Sequence, residues 1–184
     1  GYVYSEPGVY TDVALLDVAS MHPTSLIEMN YFGPFTQKFA DLKQTRIYIK
    51  HGEYDKAKKM FGGILEEFLQ DPESADMLSY ALKIIINIVY GMTSAKFDNK
   101  FRHKLNQDNI VAKRGALFMI NLKHEVQKRG YTVAHIKTDS IKIPNADKKI
   151  IDFVFEYGKE YGYDFEHEAT YERMELVNKT VYIA

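Results

Sequence analysis

Apolar and polar positions along this chain switch between a strand period and a helix period. Val13-Ala14-Leu15-Leu16-Asp17-Val18-Ala19 is apolar on both parities, as expected of a central strand covered on both faces. Ala134-His135-Ile136-Lys137-Thr138-Asp139-Ser140-Ile141-Lys142-Ile143-Pro144 reads as strand, tight Lys-Thr-Asp-Ser turn, and strand. Residues 1–12, rich in Gly, Tyr and Pro, read as an extended lead-in. Helical periods cover 36–50, 54–70 (interrupted at Gly62-Gly63), 71–90, 109–129 and 147–161. Strand patterns follow over 163–169 and 171–183, with Glu166 and Glu168 alternating along the first. The order strand, helix, hairpin, helix, strand predicts an α+β fold: a central, mainly antiparallel sheet backed by helices, with residues 35–95 as a helical insertion.

The 71–90 helix has the clearest limits. Asp71-Pro72-Glu73 supplies a capping acid, a proline for the first turn and a further acid, and Gly91 offers a C-terminal stop. At about 100° per residue, Lys83, Asn87 and Tyr90 fall within roughly 60° of one another. Met77, Leu78, Ala81, Ile85 and Ile88 cluster opposite and are expected to face the core. Arg46 and Lys50, at i and i+4, share a face of the 36–50 helix. Ser20-Met21-His22-Pro23-Thr24-Ser25 reads as a helix start, whose unbonded N–H groups can receive an anion. Gly115, inside the 109–129 helix, marks close packing or the close approach of a ligand backbone.

Composition narrows the chemistry. The chain carries no cysteine, so disulfides and thiolate metal sites are excluded and any metal must be held by carboxylates or histidines. The apolar run around Ile84-Ile85-Ile86, broken by Asn87, reads as too short to span a membrane, and the N-terminus lacks a signal-peptide pattern. Net charge is −1, which argues against a dedicated nucleic-acid binder. Yet residues 96–130 carry nine Lys/Arg against Asp98, Asp108 and Glu125, whereas 145–175 carry four against nine acids. The basic stretch can touch phosphates, although two oppositely charged solvated faces explain the split equally well. Asp17 and Asp139 each interrupt an apolar strand setting. An unpaired carboxylate there is costly, so the pair points to a divalent-metal site, while a capping role is the plainer reading of either aspartate alone.

Three motifs in order resemble family B DNA polymerases of the phage-like branch, over nearly the whole chain. Asp17-Val18-Ala19-Ser20-Met21-His22-Pro23-Thr24-Ser25 resembles motif A, Lys83-x3-Asn87-x2-Tyr90-Gly91 motif B, and Lys137-Thr138-Asp139-Ser140 motif C. The resemblance implies a palm (1–34 and 96–184) with inserted fingers (35–95), performing template-directed nucleotidyl transfer from a dNTP to a primer 3′-hydroxyl. Asp17 and Asp139 would be the catalytic, metal-binding carboxylates for two Mg²⁺ ions (or Mn²⁺). Backbone N–H groups of Ser20, Met21 and His22, together with Arg46, Lys50 and Lys83, would receive the triphosphate. Asn87, Tyr90 and Gly91 would lie along the nascent base pair, and Thr138, Ser140, Lys179 and Tyr182 along the DNA. Implied partners are primer–template DNA and dNTP, with a processivity factor or terminal protein besides and no membrane. The implied location is cytoplasmic, that of the host if phage-encoded.

Departures from the pattern carry their own expectations. Lys137 stands where motif C has its first aspartate, and its ammonium should point away from the metals. His22 replaces a tyrosine that stacks under the deoxyribose, so exclusion of a 2′-hydroxyl should loosen. Ile88 replaces a serine, and Lys179 sits one residue off the usual Lys-x-Tyr spacing. The exonuclease and thumb of the family find no counterpart in these 184 residues, which therefore read as a fragment, inactive or weakly active alone. Two other readings stand beside this one: a catalytically impaired palm-like module that only grips DNA, which Lys137 favours, and another palm-bearing nucleotidyltransferase such as a reverse transcriptase or nucleotidyl cyclase. The Lys-x3-Asn-x2-Tyr-Gly helix disfavours the latter.

Overall fold

The computed structural model describes residues 1–102, 104–106 and 109–184, with the Leu105 side chain left aside; Asp108 of the basic stretch therefore lies outside the described residues. Two compact units emerge, one of residues 1–25 with 110–184, the other of residues 26–109.

The first unit is an α+β layer. Its strands are β1 (Val3–Ser5), β2 (Gly8–Val18), β3 (His135–Lys137), β4 (Ser140–Ile143), β5 (Phe165–Leu176) and β6 (Tyr182–Ile183). They form one sheet in the order β1-β3-β4-β2-β5-β6 with antiparallel pairing throughout. The lead-in is thus itself strand, and the strand holding Asp17 begins at Gly8. The two strands expected over 163–183 are one long strand and a two-residue edge, because residues 177–181 turn on the Asn178 side chain. Its Oδ1 accepts from the Thr180 N–H (2.9 Å) and the Val181 N–H (3.0 Å).

Alternation along β2 sorts the two sheet faces. Ala14, Leu16 and Val18 pair with Ile143, Ile141 and Phe165 on one face, which packs on α5 (Ile110–Lys128) and α6 (Lys148–Glu160) through Phe118, Met119, Leu122, Ile150 and Val154. Each such fully buried side chain contributes about 1.5–3 kcal/mol. Val13, Leu15 and Asp17 point the other way. Asp147 caps α6 through the Ile150 N–H (3.0 Å), and Gly130, at φ 87°, ends the turn after α5.

The second unit is helical: the C-terminal part of α1 (Met21–Glu28), then α2 (Thr36–Lys50), α3 (Tyr54–Lys59) and α4 (Pro72–Ser94). The expected 54–70 helix breaks at residues 60–63, where Phe61, Gly62 and Gly63 take positive φ. Asp71 caps α4 as expected, accepting from the Ser74 N–H at 2.9 Å, a contact worth about 1 kcal/mol. The far end differs. The helix continues through Gly91 to Ser94, held where Thr93 Oγ1 accepts from Asn106 Nδ2 at 2.7 Å.

The core-facing stripe of α4 also differs from expectation. Ala75, Leu82, Ile86 and Thr93 are buried, whereas Met77, Ile85 and Ile88 are exposed. The helix is apolar nearly all round, so two apolar stripes exist and period alone does not choose between them. For the same reason α4, as a whole, is long and apolar enough by length and composition to cross a membrane, contrary to the reading of its Ile run; a core helix passes that test too.

Candidate active site

Strand register brings the two sequence-flagged aspartates together. Asp17 lies opposite Ser140 on β4 and Glu166 on β5. Asp139 occupies the two-residue turn between β3 and β4, whose closing pair is Lys137 and Ser140. Three backbone bonds fix that turn: the Val18 N–H donates to the Asp139 carbonyl (2.8 Å), the Thr138 N–H to Tyr2 (2.8 Å), and the Asp139 N–H to Lys137 (2.7 Å). Thr138 sits at φ 55°. A β-branched residue in the left-handed region stores about 1–3 kcal/mol of strain and persists only where the surroundings enforce it. Here β1 and β2 enforce it, and the product is a fixed position for the Asp139 carboxylate.

A third carboxylate joins them through an irregularity. The β2–β5 register shifts between Leu15 and Leu16, so that Ala169 faces Leu15 while His167 faces Leu16. Glu168 is the extra residue of this bulge, a device that re-aims one side chain. Its carboxyl reaches Asp17 by hydrogen bond, and Asp17 in turn reaches Asp139. Burial first, then the Asp139 charge, then Glu168 and Glu166, push the Asp17 carboxyl up to about 7. Asp139 is raised as well, by burial, against its own backbone N–H, the charge of His22 and the Asp17 hydrogen bond. Burial lowers His22 although Asp139 pulls the other way.

The acids form a chain, Asp139 to Asp17 to Glu168, and no three His, Cys, Asp or Glu among the described residues converge to enclose a metal. A closed cage is not what a hard divalent cation such as Mg²⁺ requires. It keeps several waters and takes one or two carboxylates plus substrate oxygens. An all-oxygen set of like charges, partly desolvated, fits that chemistry. Zn²⁺, which favours nitrogen and sulfur donors, does not fit it.

Next to the acids, α1 begins at Met21 after Ser20, whose φ is 54°. The Thr24 N–H and Oγ1 both donate to the Ser20 carbonyl (2.9 and 2.8 Å), so the N–H groups of Met21 and His22 precede the first helical bond. A buried relay anchors this turn. Arg114 Nη1 donates to Tyr163 Oη (2.6 Å), which shares a 2.7 Å hydrogen bond with Ser25 Oγ, and Ser25 donates to the Met21 carbonyl (3.0 Å). Tyr163 and Ser25 are fully buried. Gly115 completes the fit, since a Cβ there would stand 2.7 Å from Met21 Sδ; this glycine serves close packing.

A cationic group occupies the same sheet face. Lys142 is 3% exposed, with Nζ 3.2 Å from His135 Nδ1 and 4.5 Å from the Tyr182 ring centroid. Burial, then Lys137, lower its pKa, and the Asp17 carboxylate opposes them. Tyr182 is thus placed near the acids' face, but Lys179 is exposed and enters through its carbonyl, 2.9 Å from His135 Nε2. Lys137 is exposed, and its charge acts on Lys142 and His135. Sequence reading missed Lys142, Tyr163 and the role of Glu168. In Ser140-Ile141-Lys142-Ile143 the lysine falls on the polar parity of a regular alternation, so the sequence carries no signal that it is buried.

The remaining expected residues lie in the helical unit. Arg46 and Lys50 are one turn apart on α2, the first half-buried and the second exposed. On α4, Lys83 and Asn87 are exposed, and half-buried Tyr90 donates its hydroxyl to Asn109 Oδ1 at 3.4 Å. Gly91 is helical with open space where a Cβ would stand.

The fold is similar to that of part of a family B DNA polymerase. It is similar to the family B DNA polymerase from the hyperthermophilic archaeon Pyrobaculum calidifontis, with a TM-score of 0.66 at 17% identity, over 97% of this chain and 26% of that one. This chain therefore spans about a quarter of that polymerase's length. No family model matches the sequence, and no curated protein does.

Proposed function

We propose that this chain is the catalytic portion of a template-directed DNA polymerase, with residues 1–34 and 96–184 as palm and 35–95 as fingers. The observation that carries the reading is the meeting of Asp17, from a strand, and Asp139, from a hairpin turn, in one partly desolvated acidic group. Bound there, two Mg²⁺ ions would supply the Lewis acidity that stabilises the attacking and leaving oxygens. Asp17 and Asp139 would hold them, with Glu168 extending the set. The primer 3′-hydroxyl would displace pyrophosphate from the α-phosphorus of the dNTP. The Met21 and His22 N–H groups, Arg46, Lys50 and Lys83 would bind the triphosphate, placing positive charge where the transition state develops negative charge. Asn87, Tyr90 and Gly91 would line the nascent base pair, with Thr138, Ser140, Lys179 and Tyr182 along the primer–template. The motif spellings favour the phage-like branch; a cytoplasmic location, that of the host if phage-encoded, and a processivity factor or terminal protein as further partners belong to the same proposal.

A binding-only module is the second reading, favoured by Lys137 in place of an acid. Asp139→Asn in the full-length protein decides between them. The expected outcome is loss of nucleotide incorporation by about 10³-fold or more, the scale of losing a charge-stabilising group, with primer–template affinity nearly unchanged. Retained synthesis in Asp139→Asn, or none in the wild type with DNA binding intact, overturns the polymerase assignment.

A further inference from the structure

The helical unit holds an open groove of about 570 Å³, within the size range of ligand sites. Its walls come from α2, from the opposite side of α4 to Lys83 and Asn87, and from the segment at 100–102. Phe32 stands edge-on to Phe39 (5.3 Å) and to Phe101 (6.4 Å). Phe35 is 64% exposed and Phe101 43%, so the aromatic cluster is not closed over as a core would be. Three cations, Lys38, Lys100 and Arg102, line the same groove, and no acid does so among the described residues. Lys38 Nζ lies 5.9 Å from the Phe35 ring centroid, and Arg102 leans on Asp98 at 2.8 Å.

We propose that this groove binds single-stranded DNA, with unpaired bases stacking on Phe35 and Phe101 and phosphates meeting Lys38, Lys100 and Arg102. Exposed aromatic faces beside cations, with no acid among the described lining residues, are what a single strand requires, since every base has a stacking face and every nucleotide a phosphate. A duplex keeps its bases stacked inside and has no face to offer. An apolar peptide would bring no counter-charge to Lys38 and Lys100. The inference rests on the polymerase reading only for its meaning, in which the strand is the unpaired template, and its test does not depend on that reading.

The test is fluorescence anisotropy of the whole chain with a labelled thymidine oligonucleotide of about 12 nucleotides, a length within the usual single-strand site range, without primer or dNTP. Phe35→Ala and Phe101→Ala should each weaken binding about fivefold or more, and leave affinity for a duplex of equal length unchanged. Lys38→Glu should weaken binding and lower the slope of log K against log salt by about one unit. Both phenylalanines are exposed, so these variants should melt like the wild type. Absence of oligonucleotide binding by the wild type, or unchanged affinity in all three variants, overturns the proposal. So does a variant effect confined to oligomeric state, which would make the groove a contact between copies. Primer extension by the full-length protein, measured alongside, separates the two readings: extension with unresponsive oligonucleotide binding sinks the groove alone, and responsive binding without extension by the full-length protein sinks the polymerase alone.

Discussion

The two units place the side chains proposed to be functional by different means. In the sheet unit, Asp17 is fixed by strand register, Asp139 by three backbone hydrogen bonds and Glu168 by a bulge, and the neighbouring turn hangs from a buried tyrosine. In the helical unit, Lys50, Lys83 and Asn87 project into solvent from helix faces. Acids that must hold cations in a set geometry have to be organised beforehand, since like charges do not gather unaided. Lysines that receive a mobile triphosphate can be ordered by it, at an entropic cost met on binding. The acidic side is thus expected to be intolerant of substitution and the cationic side graded.

That contrast is sharpened first by Lys83→Ala in the full-length protein. Removing one exposed cation should raise the KM for dNTP about tenfold, near 1.4 kcal/mol, and change kcat less. Measured by steady-state primer extension, an equal fall in kcat and kcat/KM would instead mean that Lys83 acts only in the transition state, as rigidly as the acids do. An unchanged dNTP dependence would remove Lys83 from the site.

Stability offers the next comparison. Tyr163→Phe deletes the hydroxyl that Arg114 and Ser25 share, leaving buried polar atoms unpaired at a cost of about 1–3 kcal/mol. At about 2–4 °C per kcal/mol for a chain of this size, the melting temperature should fall by several degrees. Ile88→Ala, on the exposed apolar side of α4, should stay within about 0.5 kcal/mol of wild type. Thermal melts of the two variants check this, and a large loss for Ile88→Ala would show that its face is covered in solution.

The same difference explains what could be read from residues alone. Asp17 stood out because a carboxylate interrupts an apolar strand pattern, Asp139 because it sits in the tight turn between two apolar strands, and the Asp71 cap because its chemistry is local. Glu168 did not, since regular alternation places Glu166 and Glu168 alike on one face; only the register shift at Leu15/Leu16 aims the second at Asp17. Tyr163 is invisible for another reason, its partners lying 49 and 138 positions away. The buried side of α4 was misread because Met77, Ile85 and Ile88 form as good an apolar stripe as Leu82 and Ile86, and tertiary packing makes the choice. Bulges, relays and choices between equal stripes are long-range events, which local pattern does not encode.

The smallest effect is a pH dependence of the sheet unit's own stability. With divalent cations removed by chelator, Asp17 keeps its proton up to about 7 in the folded chain, whereas in the unfolded chain it ionises near the usual carboxylate value of about 4. Between those limits the folded state binds more protons than the unfolded one, so stability falls as pH rises through the window and levels off above it. Asp17→Asn removes both the titration and the repulsion from Asp139, Glu168 and Glu166. Its melting temperature should exceed that of wild type by a few degrees at pH 8, and the gap should close towards pH 4. Melts of both proteins across that range, in chelator, provide the measurement. A gap that is constant with pH would mean the acids are too well solvated to feel one another. The sheet unit would then hold its carboxylates no more tightly than the helical unit holds its lysines.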